Sequence, residues 1–349
     1  MKKDVLCLFI ALVLISSAIQ VSAQNTEDPY KIMFYNVENL FDTDNDSLKN
    51  DEEFLPDGIR YWTTSKYYHK LNNIYKVIIA VGEWNPPAII GVCEVENRRV
   101  LSDLVDKTPL VKFEYQIIHH ESPDRRGIDV GFLYRKELFK PIYHTPIAVN
   151  LPDNPHFKTR DILYVKGIVR KSDTLHIFIN HWPSRWGGQL ESEKNRIAAA
   201  QRLKNIVDSI VAIHPKSNII ITGDFNDTPL NNSLRNILQA NIQTKTIKNN
   251  ELYNLSYSIL ETKNLGSHKY QGEWAILDQF IVSGYLLNPE NNLFTTPEDV
   301  HIFDKDFLME PDDSFYGYQP FRTFIGYRYN RGYSDHLPVY LILHFNPSQ

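Results

Sequence analysis

Apolar and polar residues follow two different periods along this chain, and the alternation between them predicts an α/β fold. Apolar runs that favour strands occur at residues 31–35, 88–93, 128–134, 175–179, 219–221, 275–283 and 339–345. Apolar residues spaced three or four apart predict amphipathic helices at residues 65–81 and 192–213, and a shorter helix at residues 100–104. Residues 286–332 are rich in aromatic side chains but have no clear period, so we interpret them as a long insertion.

One predicted strand end combines several chemically useful residues. The run at 219–221 leads into Gly223-Asp224-Phe225-Asn226, and we expect Gly223 to let the backbone turn sharply there. Asp224 and Asn226 lie two positions apart, so an extended backbone directs both side chains to the same side. Ligands of α/β proteins usually bind at such a sheet rim. An ordinary Asx turn is the alternative, and the motif alone leaves both open.

Other predicted strands also carry a polar residue, which lies just outside one end of the strand or, for Asp278 in the run at 275–283, at its centre. These residues are Asn36, Glu94, His181, Asp278, Asp335 and His336, and with Asp224 and Asn226 they form the candidate site. Carboxylates and amides are hard oxygen donors, suited to Mg²⁺, Mn²⁺ or Ca²⁺. The sequence contains no H-E-x-x-H or C-x-x-C zinc motif, no G-x-S-x-G elbow and no P-loop.

These residues and their order resemble the endonuclease/exonuclease/phosphatase superfamily, the metal-dependent group typified by pancreatic deoxyribonuclease. The matching motifs are Asn36, Gly91-Val92-Cys93-Glu94, Asn180-His181-Trp182, Gly223-Asp224-Phe225-Asn226, Leu277-Asp278-Gln279-Phe280 and Ser334-Asp335-His336-Leu337-Pro338. The opening Asn36-Val37-Glu38-Asn39-Leu40-Phe41-Asp42 and the segment His181-Trp182-Pro183-Ser184-Arg185 resemble its exported bacterial nuclease-like branch. The similarity extends from about residue 30 to about residue 345. It implies a four-layer α/β/β/α sandwich in which two mixed sheets pack face to face.

The resemblance also implies a metal site. It implies that Glu94 binds a divalent ion directly, and that Asn36 and Asp335 bind the ion directly or support the residues that do. Mg²⁺ is the expected ion, with Mn²⁺ or Ca²⁺ as alternatives. Asp129 departs from the residue expected at a typical position of the superfamily, and we assign it a supporting role only.

The same resemblance implies roles in catalysis. Asp224 would orient or deprotonate the attacking water, and Asn226 would hold that carboxylate or a phosphoryl oxygen. His181 and His336, the latter paired with Asp278, would contact the scissile phosphate as acid, base or charge stabiliser. Taken singly, each histidine fits a structural role as well. A buried Asp278 would be costly without a partner, and the pairing with His336 answers that cost.

Two further groups of residues have two interpretations each. Arg126 and Arg185 are candidates for contacts with the substrate phosphate, with surface salt bridges as the alternative. Five aromatic residues of the insertion could stack bases, with loop packing as the favoured alternative. They are Tyr316, Tyr318, Phe321, Tyr327 and Tyr329. The acidic segment at residues 42–57 lacks EF-hand spacing and is predicted to be a solvated insertion.

The N-terminal sequence and the net charge limit where the protein acts and what it binds. Residues 1–23 read as a signal peptide, which leaves residues 24–349 as one exported domain in the periplasm or outside the cell, without stable membrane insertion. The formal net charge of −5 argues against a protein that coats nucleic acid, although a bound cation and local arginines allow a polyanionic substrate. Cys93 lies in an apolar run and is expected to be a small buried filler.

The sequence therefore predicts an exported metal-dependent phosphodiesterase, most simply an endonuclease acting on DNA or RNA. The first alternative is the same chemistry on a lipid or inositol phosphate. The second is a binding module without catalytic activity. The complete set of polar residues in the candidate site argues against it, because binding alone would not require all of them. We infer no obligate protein partner.

Overall fold

The structure, a computed structural model, describes residues 29–83, 85–151, 154, 156–170, 173–259 and 265–346. Its principal helices are α1 (Thr64–Gly82), α2 (Arg98–Asp106) and α3 (Gln189–Ile213). The strands up to the longest helix are β1 (Tyr30–Leu40), β2 (Ile89–Val95), β3 (Tyr115–His119), β4 (Asp129–Arg135), β5 (Phe139–Ile147), β6 (Ile162–Val169) and β7 (Asp173–His181). The predicted signal peptide, residues 1–23, lies outside the described residues.

Strands and short turns of helix make up the rest of the chain. The strands are β8 (Asn218–Asp224), β9 (Ala240–Asn241), β10 (Leu252–Asn254), β11 (His268–Tyr270), β12 (Glu273–Ala275), β13 (Asp278–Ser283), β14 (Leu293–Phe294), β15 (Val300–Ile302), β16 (Met309–Pro311), β17 (Tyr318–Pro320), β18 (Phe324–Ile325), β19 (Arg328–Tyr329) and β20 (Val339–Phe345). Short 3₁₀ turns occupy Glu52–Phe54, Pro109–Phe113, Gly284–Leu287, Pro297–Asp299 and Asp306–Leu308, and a π-helical turn occupies Ser233–Ile237.

Two large mixed sheets carry the fold. In the first, the strand order is β14–β20–β1–β2–β4–β3, with β15 also paired to β20. In the second, the order is β5–β6–β7–β8–β13–β10–β9. The β1–β2 and β7–β8 pairs are parallel, whereas β8 and β13 are antiparallel, so each sheet mixes both pairings. The pairs β11–β12, β16–β17 and β18–β19 form separate small hairpins.

The alternation of side chains along β8 shows how the layers pack. Ile219 and Ile221 are buried against α3, whereas Ile220 belongs to the core that contains the first sheet together with α1 and α2. Since side chains alternate across a strand, Asp224 lies on the same face as Ile220, towards the other sheet. The helices lie outside and the two sheets face each other, which confirms the predicted four-layer α/β/β/α sandwich.

Several element boundaries differ from the sequence-based expectation. Glu94 lies within β2, at an irregularity in its pairing with β4, rather than beyond the strand end. Asp278 is the first residue of β13 and not its centre, because residues 273–275 form β12 of a separate hairpin. The 42–57 segment is not simply solvated, since Asp42, Asp51 and Phe54 are buried. The insertion at 286–332 contains short strands and 3₁₀ turns.

Gly223 was expected to form a turn, but it lies inside β8 and opposes Asn180 in the neighbouring parallel strand. A glycine is needed at this position because a side chain would collide with the neighbouring strand. A Cβ atom at residue 223 would lie 2.3 Å from the carbonyl oxygen of Asn180. Strands β7 and β8 therefore approach closely where His181 and Asp224 are placed.

Gly223→Ala should destabilise the protein by about 2–3 kcal/mol, because backbone atoms of β7 must move to admit the methyl group. Urea unfolding of the purified variant measures this change. Gly91→Ala is the matched control, since its Cβ would meet the Cδ1 atom of Ile179 at 2.6 Å, and a side-chain methyl group can move away. A cost at Gly223 no larger than that at Gly91 would contradict the explanation.

Candidate active site

Three neighbouring strands place a row of polar side chains at one edge of the second sheet. In the strand register, Asp224 of β8 opposes His181 of β7 on one side and Asp278 of β13 on the other. All three side chains are buried. Residues opposite each other on adjacent strands point to the same face. The pairing register therefore converts three distant sequence positions into one cluster that faces the first sheet.

Asn36 of the first sheet joins this cluster to Glu94. Its Nδ2 atom donates to Asp224 Oδ2 at 3.1 Å and lies 3.3 Å from Glu94 Oε1. The second Glu94 oxygen accepts the backbone N–H of Asn39 at 2.9 Å. Glu94 has a positive φ of 61°, which accompanies the strand irregularity that turns its side chain towards Asn36. The site thus spans both sheets.

His336 and Asp278 form the predicted pair. Nδ1 of His336 lies 2.6 Å from Asp278 Oδ2, and its Nε2 atom lies 3.9 Å from Asp224 Oδ2. Ser334 fixes residues 334–336 against β1. Its hydroxyl donates to the backbone oxygen of Asn36 at 2.7 Å and accepts the His336 N–H at 3.1 Å. Burial works against the charged imidazole, but the carboxylates of Asp278 and Asp224 outweigh it and hold the pKa of His336 well above its usual value.

His181 lies between the carboxylates of Glu94 and Asp224, and its charge preference is opposite to that of His336. Its Nε2 atom is 3.8 Å from Glu94 Oε1 and 3.7 Å from Asp224 Oδ2. Burial, together with the positive charges of Arg160 and Arg126, lowers the pKa of His181 well below its usual value. The site consequently holds one charged imidazole, His336, and one neutral imidazole, His181.

Asp224 is held as a candidate base. Its Oδ1 atom accepts the Asn226 backbone N–H at 2.9 Å, and Asn226 Nδ2 lies 3.4 Å from Oδ2. Burial, reinforced by the carboxylates of Asp278 and Glu94, raises the pKa of Asp224 to about 6. Asn226 also donates to the backbone oxygen of Trp182 at 3.1 Å, which ties the loop after β8 to the end of β7.

Asp335 lies beside the cluster and is held by an arginine of the insertion. Arg322 donates to Asp335 Oδ2 at 2.9 Å, and its Nε atom is 3.5 Å from Glu38 Oε1. Among the described residues, no hydrogen bond or ion pair joins Asp335 to Glu94 or Asp224. The guanidinium of Arg322 outweighs the effect of burial and lowers the pKa of Asp335. Its contact with a metal ion therefore stays a prediction.

The arginines predicted from sequence lie at the rim. Arg185 donates from Nε to the backbone oxygen of Asn226 at 2.7 Å and is partly exposed. Arg126 is half-exposed and lies 3.7 Å from Asp124. Arg160, which we did not predict, is buried; it pairs with Asp124 at 3.2 Å and donates to the backbone oxygen of Trp182.

Two further ionisable residues near the site were not predicted from the sequence. Glu38 is buried beside Arg322 and accepts the Thr323 backbone N–H at 2.7 Å. Burial and the nearby carboxylate of Asp335 raise the pKa of Glu38 to about 7. Lys70 is buried on α1, where burial lowers its pKa to about 8, and it donates to the backbone oxygen of Tyr333. The glutamate in the Asn36-Val37-Glu38-Asn39 motif was the available signal.

The supporting role assigned to Asp129 agrees with its contacts. Asp129 is fully buried, accepts the Ser122 backbone N–H at 2.9 Å and lies 3.1 Å from His119 Nε2. These bonds fasten the loop before β4 to the end of β3.

Cys93 is buried and free, as expected of a small core residue.

The donor set fits a divalent cation. The carboxylates of Glu94 and Asp224 both approach the same amide nitrogen of Asn36, and the adjacent His181 is neutral. Two carboxylates held close together with little solvent exposure repel each other unless a cation lies between or beside them. Oxygen donors of this kind suit Mg²⁺, Mn²⁺ or Ca²⁺ better than zinc.

Comparison with known proteins places the chain in a family. The sequence profile of the Endonuclease/Exonuclease/phosphatase family matches residues 31–345. The chain belongs to this family, whose members are hydrolases acting on phosphate esters and typically use a divalent metal ion. No curated protein sequence matches the chain significantly.

Solved structures share the fold at low sequence identity. The human nocturnin catalytic domain is 17% identical with a TM-score of 0.55, and the match covers 91% of this chain and 95% of that one. A mannosyl-6-phosphatase from Bacteroides thetaiotaomicron is 14% identical with a TM-score of 0.55, covering 90% and 99%. D. rerio TDP2 in complex with a single-strand DNA product is 13% identical with a TM-score of 0.53, covering 91% and 100%. At these identities the likeness establishes the fold.

Asp278→Asn should lower the pKa of His336, because the amide no longer favours the imidazolium. An NMR titration of the His336 ring in EDTA measures this change. A raised histidine pKa stabilises the fold fully below about pH 6.5, and the benefit disappears as the pH rises through the folded-state pKa. Between about pH 5 and pH 9, the stability gap between wild type and variant should therefore be largest at the acidic end.

The matched control is Asp299→Asn, which alters a partly exposed pair in which His344 Nε2 lies 2.9 Å from Asp299 Oδ1. This substitution should leave the titration of His336 unchanged. A His336 pKa that is the same in wild type and Asp278→Asn would show that Asp278 does not set the charge of this ring.

Proposed function

We propose that this protein is a divalent-metal-dependent phosphodiesterase, an endonuclease that hydrolyses DNA or RNA. The observation that carries the proposal is the cluster in which Asn36 of one sheet bonds Asp224 of the other, with His181 and His336 on either side of that carboxylate. A structural role would require neither two buried imidazoles of opposite charge preference nor a carboxylate between them. Hydrolysis of a phosphate ester uses all three.

The residues of the cluster divide the chemical work. Asp224, with a pKa raised to about 6 by burial, orients the attacking water and accepts its proton. The charged His336, held by Asp278, donates a hydrogen bond to the phosphate and stabilises the charge that develops there. As the bond from phosphorus to the leaving oxygen breaks, His336 can give that oxygen its proton. The neutral His181 contacts the phosphate from the other side, and Asn226 holds the Asp224 carboxylate.

Glu94 and Asn36 are the residues that would hold the metal ion. Asp335, which accepts a hydrogen bond from Arg322, would bind the ion as well or support the residues that do. A bound divalent cation supplies positive charge that polarises the phosphate ester and lowers the barrier to attack. Arg126 and Arg185 at the rim add positive charge on the side of His181 and Asn226, where the anionic substrate would enter.

A nucleic acid is the proposed substrate. The support is the resemblance of the Asn36–Asp42 and His181–Arg185 segments to exported nucleases, and the fold shared with TDP2, which has been solved with a single-strand DNA product. The similar fold of a mannosyl-6-phosphatase makes sugar phosphates an informative comparison in the same assay.

Asp224→Asn should lower kcat by a factor of about 10³ or more, because the amide cannot accept a proton from water. Purified protein is assayed with Mg²⁺ on plasmid DNA, RNA, sphingomyelin, inositol phosphates and mannose 6-phosphate, and again after addition of EDTA. Activity should appear on a nucleic acid, disappear with the chelator and return with excess Mg²⁺.

Asp208→Asn is the matched control, because this exposed aspartate lies on α3 and pairs with Lys204 across one helical turn. It should retain wild-type activity, and both variants should unfold at the wild-type temperature within a few degrees. Full activity of Asp224→Asn, or hydrolysis that persists in EDTA, would refute the proposed chemistry. Activity confined to a phosphorylated lipid or sugar would refute the substrate only.

We also propose that the protein is exported as a single domain comprising residues 24–349, in the periplasm or outside the cell. The support is the sequence of residues 1–23, with its basic start, apolar stretch and Val21-Ser22-Ala23 cleavage site. None of the helices in the described part of the chain has the length and apolar character needed to cross a bilayer. N-terminal sequencing of the mature protein should begin at Gln24, and an intact Met1 would exclude processing.

A further inference from the structure

We propose that two hairpins beside His336 form a stacking site for nucleobases of a single-stranded substrate. The hairpins are β11–β12 and β16–β17, and we call them the aromatic hairpin pair. This inference rests on the proposed function, because it assigns a binding site to the part of a polynucleotide that flanks the scissile phosphate.

The aromatic hairpin pair is continuous with the active site. His268, the first residue of β11, pairs through its backbone with His336, and the two imidazole rings lie 4.6 Å apart. Ser267, one residue earlier, accepts the Asp278 N–H at 2.9 Å through its hydroxyl. Its backbone oxygen accepts the Leu337 N–H at 2.7 Å. The first hairpin therefore begins at the charged histidine and its carboxylate partner.

A buried ion pair fixes the second hairpin to the first. Nζ of Lys269 lies 2.8 Å from Asp312 Oδ2, and both side chains are almost completely buried, at 3% and 4% exposed. The same ammonium group donates to the backbone oxygens of Tyr316 and Tyr318, each at 3.1 Å. Lys269 thus saturates its three donors on one loop, which holds that loop at a defined distance from His268.

Large aromatic rings project from this fixed scaffold into solvent. Tyr270 is 68% exposed and, two residues after His268 in an extended strand, lies on the same face as that histidine. Tyr316 is fully exposed and Tyr318 is 60% exposed. The ring of Phe315 lies over Gly272 at the tip of the first hairpin. Exposed apolar groups concentrated in this way commonly mark a binding surface.

The structure divides the aromatic cluster of the insertion into two groups. Tyr329 packs on Trp62 and Phe324, and Phe321 packs on Tyr333, so loop packing accounts for those two rings. Tyr327 is exposed but lies against the guanidinium of Arg60. In the described part of the chain, Tyr316 and Tyr318 stack on no other ring, and Lys269 holds their backbone beside β11, which carries the exposed Tyr270.

A nucleobase fits this surface better than an acyl chain. Rigid tyrosine rings supply flat faces, on which bases of any sequence stack, and their hydroxyl groups remain hydrated. The chain carries a formal charge of −5, so backbone attraction alone would hold a polyanionic strand weakly. Stacking on the aromatic hairpin pair would supply affinity that depends little on salt.

The test compares a short single-stranded oligonucleotide with an abasic strand of the same length, on wild type, Tyr270→Ala and the double variant Tyr316→Ala/Tyr318→Ala. Removal of rings should raise KM for the base-bearing strand about tenfold and leave kcat unchanged, because stacking binds the substrate without touching the phosphate. KM for the abasic strand should not change. Fluorescence anisotropy in EDTA measures binding without hydrolysis.

Tyr143→Ala is the matched control, since this half-exposed tyrosine lies on β5 at the far edge of the second sheet, and it should leave both substrates unaffected. Equal KM changes on the two strands, or none, would overturn the stacking site. Hydrolysis of base-free phosphate esters alone would also overturn it while leaving the phosphoesterase intact. If wild type hydrolyses nothing, the proposed function fails, and the anisotropy difference between wild type and variants still decides whether the rings bind bases.

Discussion

The position of Asp224 between two sheets is the constraint on which the rest of the site depends. Strand register aligns it with His181 and Asp278, and the side-chain amide of Asn36 connects it to the opposite sheet. A one-residue slip of β8 would turn Asp224 towards α3 and bring Gly223 to the inner face. The close approach of β7 and β8 at Gly223, together with the alternating isoleucines that anchor both faces of β8, makes that slip costly.

The arrangement of charges within the cluster follows from which groups surround each histidine. Burial lowers the pKa of both rings. At His336 the carboxylates of Asp278 and Asp224 outweigh burial and raise the pKa. At His181 the guanidinium groups of Arg160 and Arg126 add to the effect of burial, although Glu94 and Asp224 lie within 3.8 Å. One cleft therefore offers both a charged donor and a neutral imidazole, on opposite sides of the same aspartate.

Sequence periodicity predicted the long helices and the buried strands β1, β2, β4, β7, β8, β13 and β20, because those elements alternate or repeat around a core. It missed the buried strand β6. Strand β20 begins and ends at the predicted residues, and α1 extends the predicted span by one residue at each end. Strand β5 was missed because it is an edge strand, largely exposed and interrupted by Pro141 and Pro146, so no apolar period marks it. The polar residues at strand ends were visible in the sequence, but Arg160, Arg322 and Lys70 were not. Each of these reaches the site from a remote segment, and no spacing rule records such a contact.

The hydroxyl of Ser334 bonds the backbone of Asn36 across 298 positions of sequence. A growing polypeptide that has already made β1, β2, β7, β8 and β13 still lacks His336, and the edge of β1 that receives β20 is still unpaired. Such long-range closure is slow and comes after the local elements have formed. The complete cluster would consequently form late in folding. Proteolytic fragments that stop before residue 334 would carry Glu94, Asp224 and Asp278 but neither Asp335 nor the charged imidazole.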